Sequence, residues 1–376
     1  MLVGRKIRLY PTKEQEKQFF NFSGASRFAY NECLAYKIQQ YQDNGYSCKV
    51  QDLIEHLQDL KYNDEDYYWL QGIPEAITKQ AIKDLDKAYK SFFKRGNKGF
   101  PKFKSKRHSK VSFYQRIDNL HMIDDNHIKI TGIKTPVKVK EQIGVGLKNP
   151  RVTFDGKFWY LSYSYEIQEH EKKTEGEIIG IDLGIKSLAV TSDGKFYKNI
   201  NKISRVKKLE KRKRHLQRRL SKKYEMNKQG NKFNKTQNII KLEREIKLID
   251  RKLSNIRDTY IHTITYRLAS RAKTICIEDL NVSSMMKNKH LSKAIQQQEF
   301  RKFRTYIEYK CQAYGTNLIV ADRFYPSSKL TNCCGHRFKF LSLSQRQLTC
   351  PICGKITDRD LNAALNLRNY ALAQAS

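Results

Sequence analysis

The sequence predicts an α+β protein of several domains, and three observations predict it. A helical apolar period runs through residues 11 to 95, short β-rich runs broken by turn signals follow to about residue 166, and buried-strand runs then alternate with long amphipathic helices. At 376 residues the chain is long enough for two or three domains, each with its own core.

Charge bounds the partners. Seventy-three Lys and Arg against 38 Asp and Glu leave a net charge of +35 on a chain too aromatic to be disordered. Lys and Arg that neutralise phosphates release counterions, so such a chain binds nucleic acid, either as a structural binder or as an enzyme. No window is apolar enough to span a bilayer, and the first 20 residues lack the apolar core of a signal peptide, so an intracellular protein is expected. Of eight cysteines, Cys33, Cys48, Cys276 and Cys311 are scattered as ordinary thiols, whereas Cys333, Cys334, Cys350 and Cys353 cluster as metal ligands do.

Residues 2 to 9 alternate as a strand, and Pro11-Thr12 opens a helix with Glu14 and Glu16 in its first turn. Phe19, Phe20, Phe22, Phe28, Tyr30 and Leu34 give it a bulky apolar face to about Tyr41, and Asp43-Asn44-Gly45 breaks it. From Pro74, the residues Ile77, Ala81, Leu85, Ala88, Tyr89 and Phe92 recur at helical spacing. Lys79, Gln80, Lys83 and Lys87 occupy the other faces, which are either simply solvated or set against nucleic acid. Residues 95 to 110, Lys102 and Lys104 among them, form a glycine-punctuated basic loop with Phe100 and Phe103 interleaved, a pattern suited to a nucleic-acid backbone. The short strands of residues 111 to 166 suggest a small barrel, completed by the first strand and interrupted by the helices of residues 11 to 95.

A charged linker, Glu171 to Glu177, precedes the apolar run Ile178 to Ile181, which ends in Asp182 with Gly184 close behind, and Leu188 to Val190 runs back as a hairpin. Such an aspartate is either a turn cap or a metal ligand on the first strand of a ribonuclease-H-type sheet. Residues 206 to 224, with Arg212 and Arg218, and residues 239 to 268 read as a helical hairpin. Its first arm is so basic that self-repulsion opposes folding unless phosphates lie against it. Thr274 to Ile277 repeats the earlier form, an apolar strand ending in an acid, Glu278, with Asp279 beside it. A third acid is available at Asp358 or Asp360, where the C-terminal helix opens. Carboxylates at adjacent strand ends can converge on one metal pair. Between them, Cys350-Pro351-Ile352-Cys353-Gly354 is a zinc knuckle. Its partner offers Cys334 before Gly335 but has Thr331 three positions earlier, so Cys333, His336 or a water must supply the fourth ligand.

Taken together, Arg8 to Thr12, Gly180 to Gly184, Ile277 to Leu280, Tyr325 to Lys329, the Cys350 to Gly354 knuckle and Asp358 to Ala364 resemble, in order and spacing, the TnpB (OrfB) proteins of bacterial insertion sequences, which look like miniature type V CRISPR effectors. The resemblance implies an enzyme, an RNA-guided DNA endonuclease. It implies a wedge barrel of the oligonucleotide-binding type (1–10 and 96–170), an inserted helical recognition domain (11–95), and an RNase H-like RuvC nuclease domain (171–329 and 355–376) with a zinc-ribbon insertion (330–354). By motif, the catalytic acids would be Asp182, Glu278 and Asp360, the last because the family's third acid lies two residues before an asparagine, here Asn362, and they would hold two Mg2+ ions. Structural Zn2+ would be held by Cys334, Cys350, Cys353 and Cys333, the first cysteine of the family's ribbon being replaced by Thr331. The helix with Gln80 and Lys83 resembles the segment that reads the motif flanking the target. Implied partners are a guide RNA from the transposon end and double-stranded target DNA, with no membrane, for a monomer in the bacterial or archaeal cytoplasm at the nucleoid. Two alternatives are an RNA-guided repressor that binds without cutting, against which the intact acid triad argues, and a transposase.

Overall fold

Thr12 begins the first helix by a reciprocal cap: the Gln15 amide donates to Thr12 Oγ1 at 3.3 Å, and the Thr12 amide donates to Gln15 Oε1 at 2.9 Å. Local chemistry of this kind sets the element boundaries throughout the computed structural model, which describes residues 1–94, 99–106, 109–168, 170–230, 232–342 and 345–375. Residues 95–98 and 107–108 of the expected basic loop lie outside that description. The chain divides into two units, Leu2–Glu166 and Met1 with Ile167–Ser376.

In the first unit, strand β1 (Leu2–Tyr10) leads into helix α1 (Lys13–Asn44), which stops where Gly45 takes a left-handed φ of 64°. Helix α2 (Val50–Asn63), a 3-10 turn (Glu65–Gly72) and α3 (Glu75–Phe93) follow. The stretch from Val50 to Gly72 was not anticipated as helix. Strands β2 (Ser112–Tyr114), β3 (Met122–Asp124), β4 (His127–Ile128), β5 (Val137–Val139), β6 (Lys148–Phe154) and β7 (Trp159–Glu166) join β1 in one antiparallel sheet of order β2-β6-β7-β1-β5-β4-β3.

Helix α1 serves two cores. Phe19 and Phe22 near its start pack with Ile7, Phe113 and Trp159 on the sheet, while Ala29, Cys33 and Leu34 further along pack with Leu53, Ile82 and Leu85 of the other helices. Each large apolar side chain so buried contributes about 1.5–3 kcal/mol. The helix is thereby fixed to sheet and helices alike.

The second unit is built on β8 (Glu177–Leu183), β9 (Ser187–Thr191) and β10 (Phe196–Lys198). Helix α4 (Ser204–Met226), the small hairpin β11 (Lys228–Gln229) and β12 (Lys232–Phe233), and α5 (Gln237–Arg271) follow, and α4 and α5 pack through Val206, Leu216, Leu242, Ile249 and Leu253 as the expected helical hairpin. Strand β13 (Ala272–Glu278) starts with no intervening loop. The Lys173 ammonium donates to the carbonyls of Ala269, Ser270 and Ala272 at 2.9, 2.7 and 3.2 Å, placing a cation on the negative end of α5. Helices α6 (Val282–Met285), α7 (Ser292–Gln298) and α8 (Phe300–Ala313), strands β14 (Asn317–Ala321), β15 (Gln347–Thr349) and β16 (Ile356–Asp358), and α9 (Arg359–Ala375) complete it.

Its main sheet has the order β10-β9-β8-β13-β14, with β8, β13 and β14 parallel and β9 and β10 antiparallel to their neighbours. Helix α9 lies so close to β8 that a Cβ on Gly180 would sit 2.0 Å from the Ala364 carbonyl oxygen. Only glycine permits that approach. Among the described residues no helix is long and apolar enough to cross a membrane.

Candidate functional site

Parallel pairing aligns Ile277 with Ile181, so the next residues, Glu278 and Asp182, stand at neighbouring strand ends. The third acid comes from α9, whose contact with Gly180 carries its first turn to the same end of the sheet. Asp358 and Asp360 do different work there. Asp358 Oδ1 accepts from the amides of Asp360 and Leu361 at 2.9 and 3.2 Å and so caps the helix, leaving Asp360 to face the other acids.

Electrostatics record the convergence. Burial, then the charges of Glu278 and Asp360, push the Asp182 carboxyl well above the usual carboxylate range, with Arg359 opposing and Asp358 adding to the rise. Burial also raises Glu278, opposed by the Ser327 hydroxyl, which donates to Glu278 Oε1. Arg346 Nη1 lies 3.7 Å from Asp360 Oδ1. Sequence reasoning gave no role to Ser327 or Arg346. Ser327 lay inside a quoted motif, whereas nothing local distinguishes Arg346 among so many basic residues. Asp279, next to Glu278, is not part of the cluster: it accepts from Arg323 Nε at 2.9 Å, with Arg304 at 4.0 Å, in a groove of about 590 Å3 that Arg301 also lines.

The four cysteines come together. The Sγ atoms of Cys333, Cys334, Cys350 and Cys353 all lie within 4.8 Å of one another, and His336 is outside the group. Cys333 thus completes a group of four, with its Sγ 3.3 Å from that of Cys353. Thr331 is buried, accepts from the His336 amide at 2.9 Å, and lies with its Oγ1 3.8 Å from Cys350 Sγ. Two left-handed glycines shape the paired turns: Gly335 donates to Thr331 O at 3.0 Å, and Gly354 donates to Cys350 O at 2.9 Å. The amides of Cys353 and Ile352 and the Thr331 hydroxyl help to hold the Cys350 thiol down to about 6. A cluster of four cysteines with one thiolate already favoured is compatible with a zinc site.

The basic candidates differ in their surroundings. Lys79 pairs with Glu75 at 2.6 Å, Gln80 donates to Asp84 at 3.1 Å, and Lys83 is exposed on the same helix. Lys102 is exposed, whereas Lys104 is half-buried with its ammonium 3.4 Å from the centre of the Tyr30 ring, and burial lowers its proton affinity. On α4, Arg212 faces Glu245 at 3.7 Å and Arg218 is exposed.

Three family models match: a helix-turn-helix domain of the OrfB_IS605 type over residues 1–46, OrfB_IS605 itself, described as "Probable transposase", over 162–289, and the Cas12f1-like TNB domain over 300–367. A Streptomyces pristinaespiralis protein named "Putative RNA-guided DNA endonuclease" is 28% identical over 99% of this chain and 90% of its own length. A protein of the same name, InsQ, from Escherichia coli (strain K12), is 27% identical over 96% of this chain and 90% of its own. In fold, the α+β chain is similar to the protein of a Cas12f1-sgRNA-target DNA complex, with a TM-score of 0.59 at 16% identity over 95% of this chain and 83% of that one. Family models match both ends and the middle, and relatives align along nearly the whole length, so the chain is similar throughout to the TnpB (OrfB) proteins.

Proposed function

We propose that the chain is an RNA-guided DNA endonuclease encoded by an insertion sequence: a guide RNA selects the target by pairing, the protein reads a short flanking motif, and a metal-dependent site cleaves the phosphodiester backbone. The observation that carries this reading is the convergence of Asp182, Glu278 and Asp360, two of them pushed up by burial. Carboxylates gathered out of water repel one another, a cost relieved by protonation or by bound cations, and such clusters are typical of metal-dependent sites. The names of the full-length relatives point the same way.

The order β10-β9-β8-β13-β14 supports an RNase H-like, RuvC-type sheet for the second unit, with the cysteine ribbon inserted before α9. The antiparallel sheet and the helices of the first unit support the wedge and recognition assignments. Asp182, Glu278 and Asp360 would hold two Mg2+ ions, which when bound would activate water and neutralise the leaving oxygen. Ser327 keeps the Glu278 carboxylate in one orientation, Asp358 holds the helix end that presents Asp360, and Arg346 tempers the negative charge. Cys333, Cys334, Cys350 and Cys353 would hold Zn2+ as a structural ion. The charge of +35 supports guide RNA and target DNA as partners, with Lys79, Gln80, Lys83, Lys102, Lys104, Arg212 and Arg218 as contacts.

The test is a cleavage assay on a plasmid library. The protein is co-expressed with its flanking locus, purified with its RNA, and given a guide-matched target beside randomised flanks, with Mg2+ or with EDTA. Metal- and guide-dependent double-strand breaks behind one enriched flank are expected. Binding without cutting would instead identify a repressor, and joining of transposon ends a transposase.

A further inference from the structure

A cleft of about 1010 Å3 opens in the Leu2–Glu166 unit along one side of α1. Its walls carry aromatic rings, amides and two cations, Arg27 and Lys106, and no carboxylate is among the described residues that line it. Arg27 and Lys106 therefore favour an anion there.

Two rings are presented rather than packed away. Phe20 is 45% exposed and Trp69 47% exposed, although both are held by edge-on neighbours: Phe20 by Trp159 with ring centres 5.0 Å apart, and Trp69 by Phe28 at 5.3 Å. Rings fixed at one edge with an open remainder suit stacking on a flat π-system. Gly24, which lines the same cleft, sits within α1, where glycine weakens a helix relative to alanine. A Cβ added there would meet nothing within 4 Å, so no neighbour within the chain requires the glycine. Bare backbone in an open, cationic, ring-lined cleft fits close approach by a ligand.

Gln18 and Asn21, three residues apart along α1 and both lining the cleft, offer amide donors and acceptors to a sugar or base edge. A ribose 2′-hydroxyl uses both kinds. We propose that this cleft binds an unpaired stretch of RNA, with one base stacked on Trp69 and seated against Gly24, and the adjoining phosphates on Arg27 and Lys106. That this RNA is the guide's own rests on the function proposed above.

Tryptophan fluorescence tests it on the full chain. The protein has two tryptophans, and Trp159 is 1% exposed, so quenching by a short oligo(U) probe reports Trp69. Oligo(U) should quench and oligo(dT) of equal length should do so more weakly. Gly24→Leu should fill the cleft, abolish the quench and weaken oligo(U) binding about tenfold with the melting temperature unchanged. Should that variant melt early, Trp69→Ala and Arg27→Gln decide: each should weaken the probe in a protein of normal melting temperature. No quench in the parent protein, or affinity unmoved by these variants, overturns the site, and an equal quench by oligo(dT) overturns the assignment to RNA. Probe binding needs neither divalent metal nor target. A failed cleavage assay therefore leaves the cleft standing, and a failed quench leaves the nuclease reading standing.

Discussion

Asn362 donates from Nδ2 to the carbonyl of Leu330 at 2.6 Å, tying the first turn of α9 to the base of the cysteine ribbon. Its Oδ1 accepts from the Asn332 amide at 2.9 Å, and one turn later Asn366 donates to the same Leu330 carbonyl at 2.6 Å and to Ser327 O at 2.7 Å. The two amides thus hold Asp360, the ribbon and the Ser327 partner of Glu278 in one frame. Both are buried, so Asn366→Leu should leave the Ser327 carbonyl unpaired at about 1–3 kcal/mol, while the Leu330 carbonyl keeps Asn362 as its donor. Thermal melting should fall accordingly, and single-turnover cleavage should fall further than stability alone explains. Unchanged cleavage in a folded variant would mean that Ser327 does not position Glu278.

Asp182→Asn should abolish cleavage, retain RNA binding and raise the melting temperature in EDTA at pH above the raised carboxyl range, because asparagine carries no charge where burial and two acids disfavour one. Its folded-state proton affinity lies above the unfolded one. The associated stability is therefore present below the ordinary carboxyl range and lost as pH rises through the raised value. In EDTA the parent protein should lose stability over that rise more than Asp182→Asn does, and Mg2+ should narrow the difference. Loss of RNA binding in Asp182→Asn would make the residue structural.

Gly180→Ala should be more damaging than its size suggests. The new methyl group would meet Ala364 O at 2.0 Å and Arg368 N at 2.5 Å, both backbone atoms that cannot rotate away. Overpacking of this kind costs about 1–3 kcal/mol or more. Denaturant unfolding should show it, with Gly184→Ala, whose nearest neighbour would be Ser187 O at 3.3 Å, as a milder control.

For the ribbon, zinc content measured by mass spectrometry should be near one ion per chain, fall more than tenfold in Cys333→Ser and be unchanged in His336→Ala. Thr331→Cys combined with Cys333→Ser should restore it, since Thr331 Oγ1 already approaches Cys350 Sγ. Zinc retained by Cys333→Ser alone would exclude Cys333 as a ligand.

Lys310 is buried against the Thr265 hydroxyl at 2.8 Å and the His262 carbonyl at 2.6 Å, and burial lowers its ammonium to about 8. In the unfolded chain it holds its proton to about 10.4. Between these values the unfolded state binds more protons, so stability should rise with pH from about 8 upward. Urea titrations across that window should show the rise in the parent protein and not in Lys310→Met.

Much of the site was legible in the chain because its signals are local. An apolar strand that ends in an acid, as at Asp182 and Glu278, announces a charge placed where a core should be. The two-residue spacing of a zinc knuckle is a property of one turn. Helix α2 carries a signal of the same local kind, Val50, Leu53, Ile54, Leu57 and Leu60 recurring at helical spacing, and was passed over; Leu53 and Leu57 pack beside residues of α1 and α3.

By itself, then, the sequence determined the net positive charge that points to a polyanion partner, most helical and strand segments through their periods, the acids as strand-end carboxylates, and the cysteines as a cluster. These depend on covalent neighbours and on composition, which the chain carries into any conformation. Tertiary structure alone decided that Asp358 caps while Asp360 faces the cluster, that Cys333 and not His336 joins the other three cysteines, that Asp279 is spent on Arg323, and that Ser327 holds Glu278. Each is a contact between segments distant in the chain or a choice between adjacent like residues. Both are settled by the direction in which a side chain points once strands have paired and α9 has closed over Gly180.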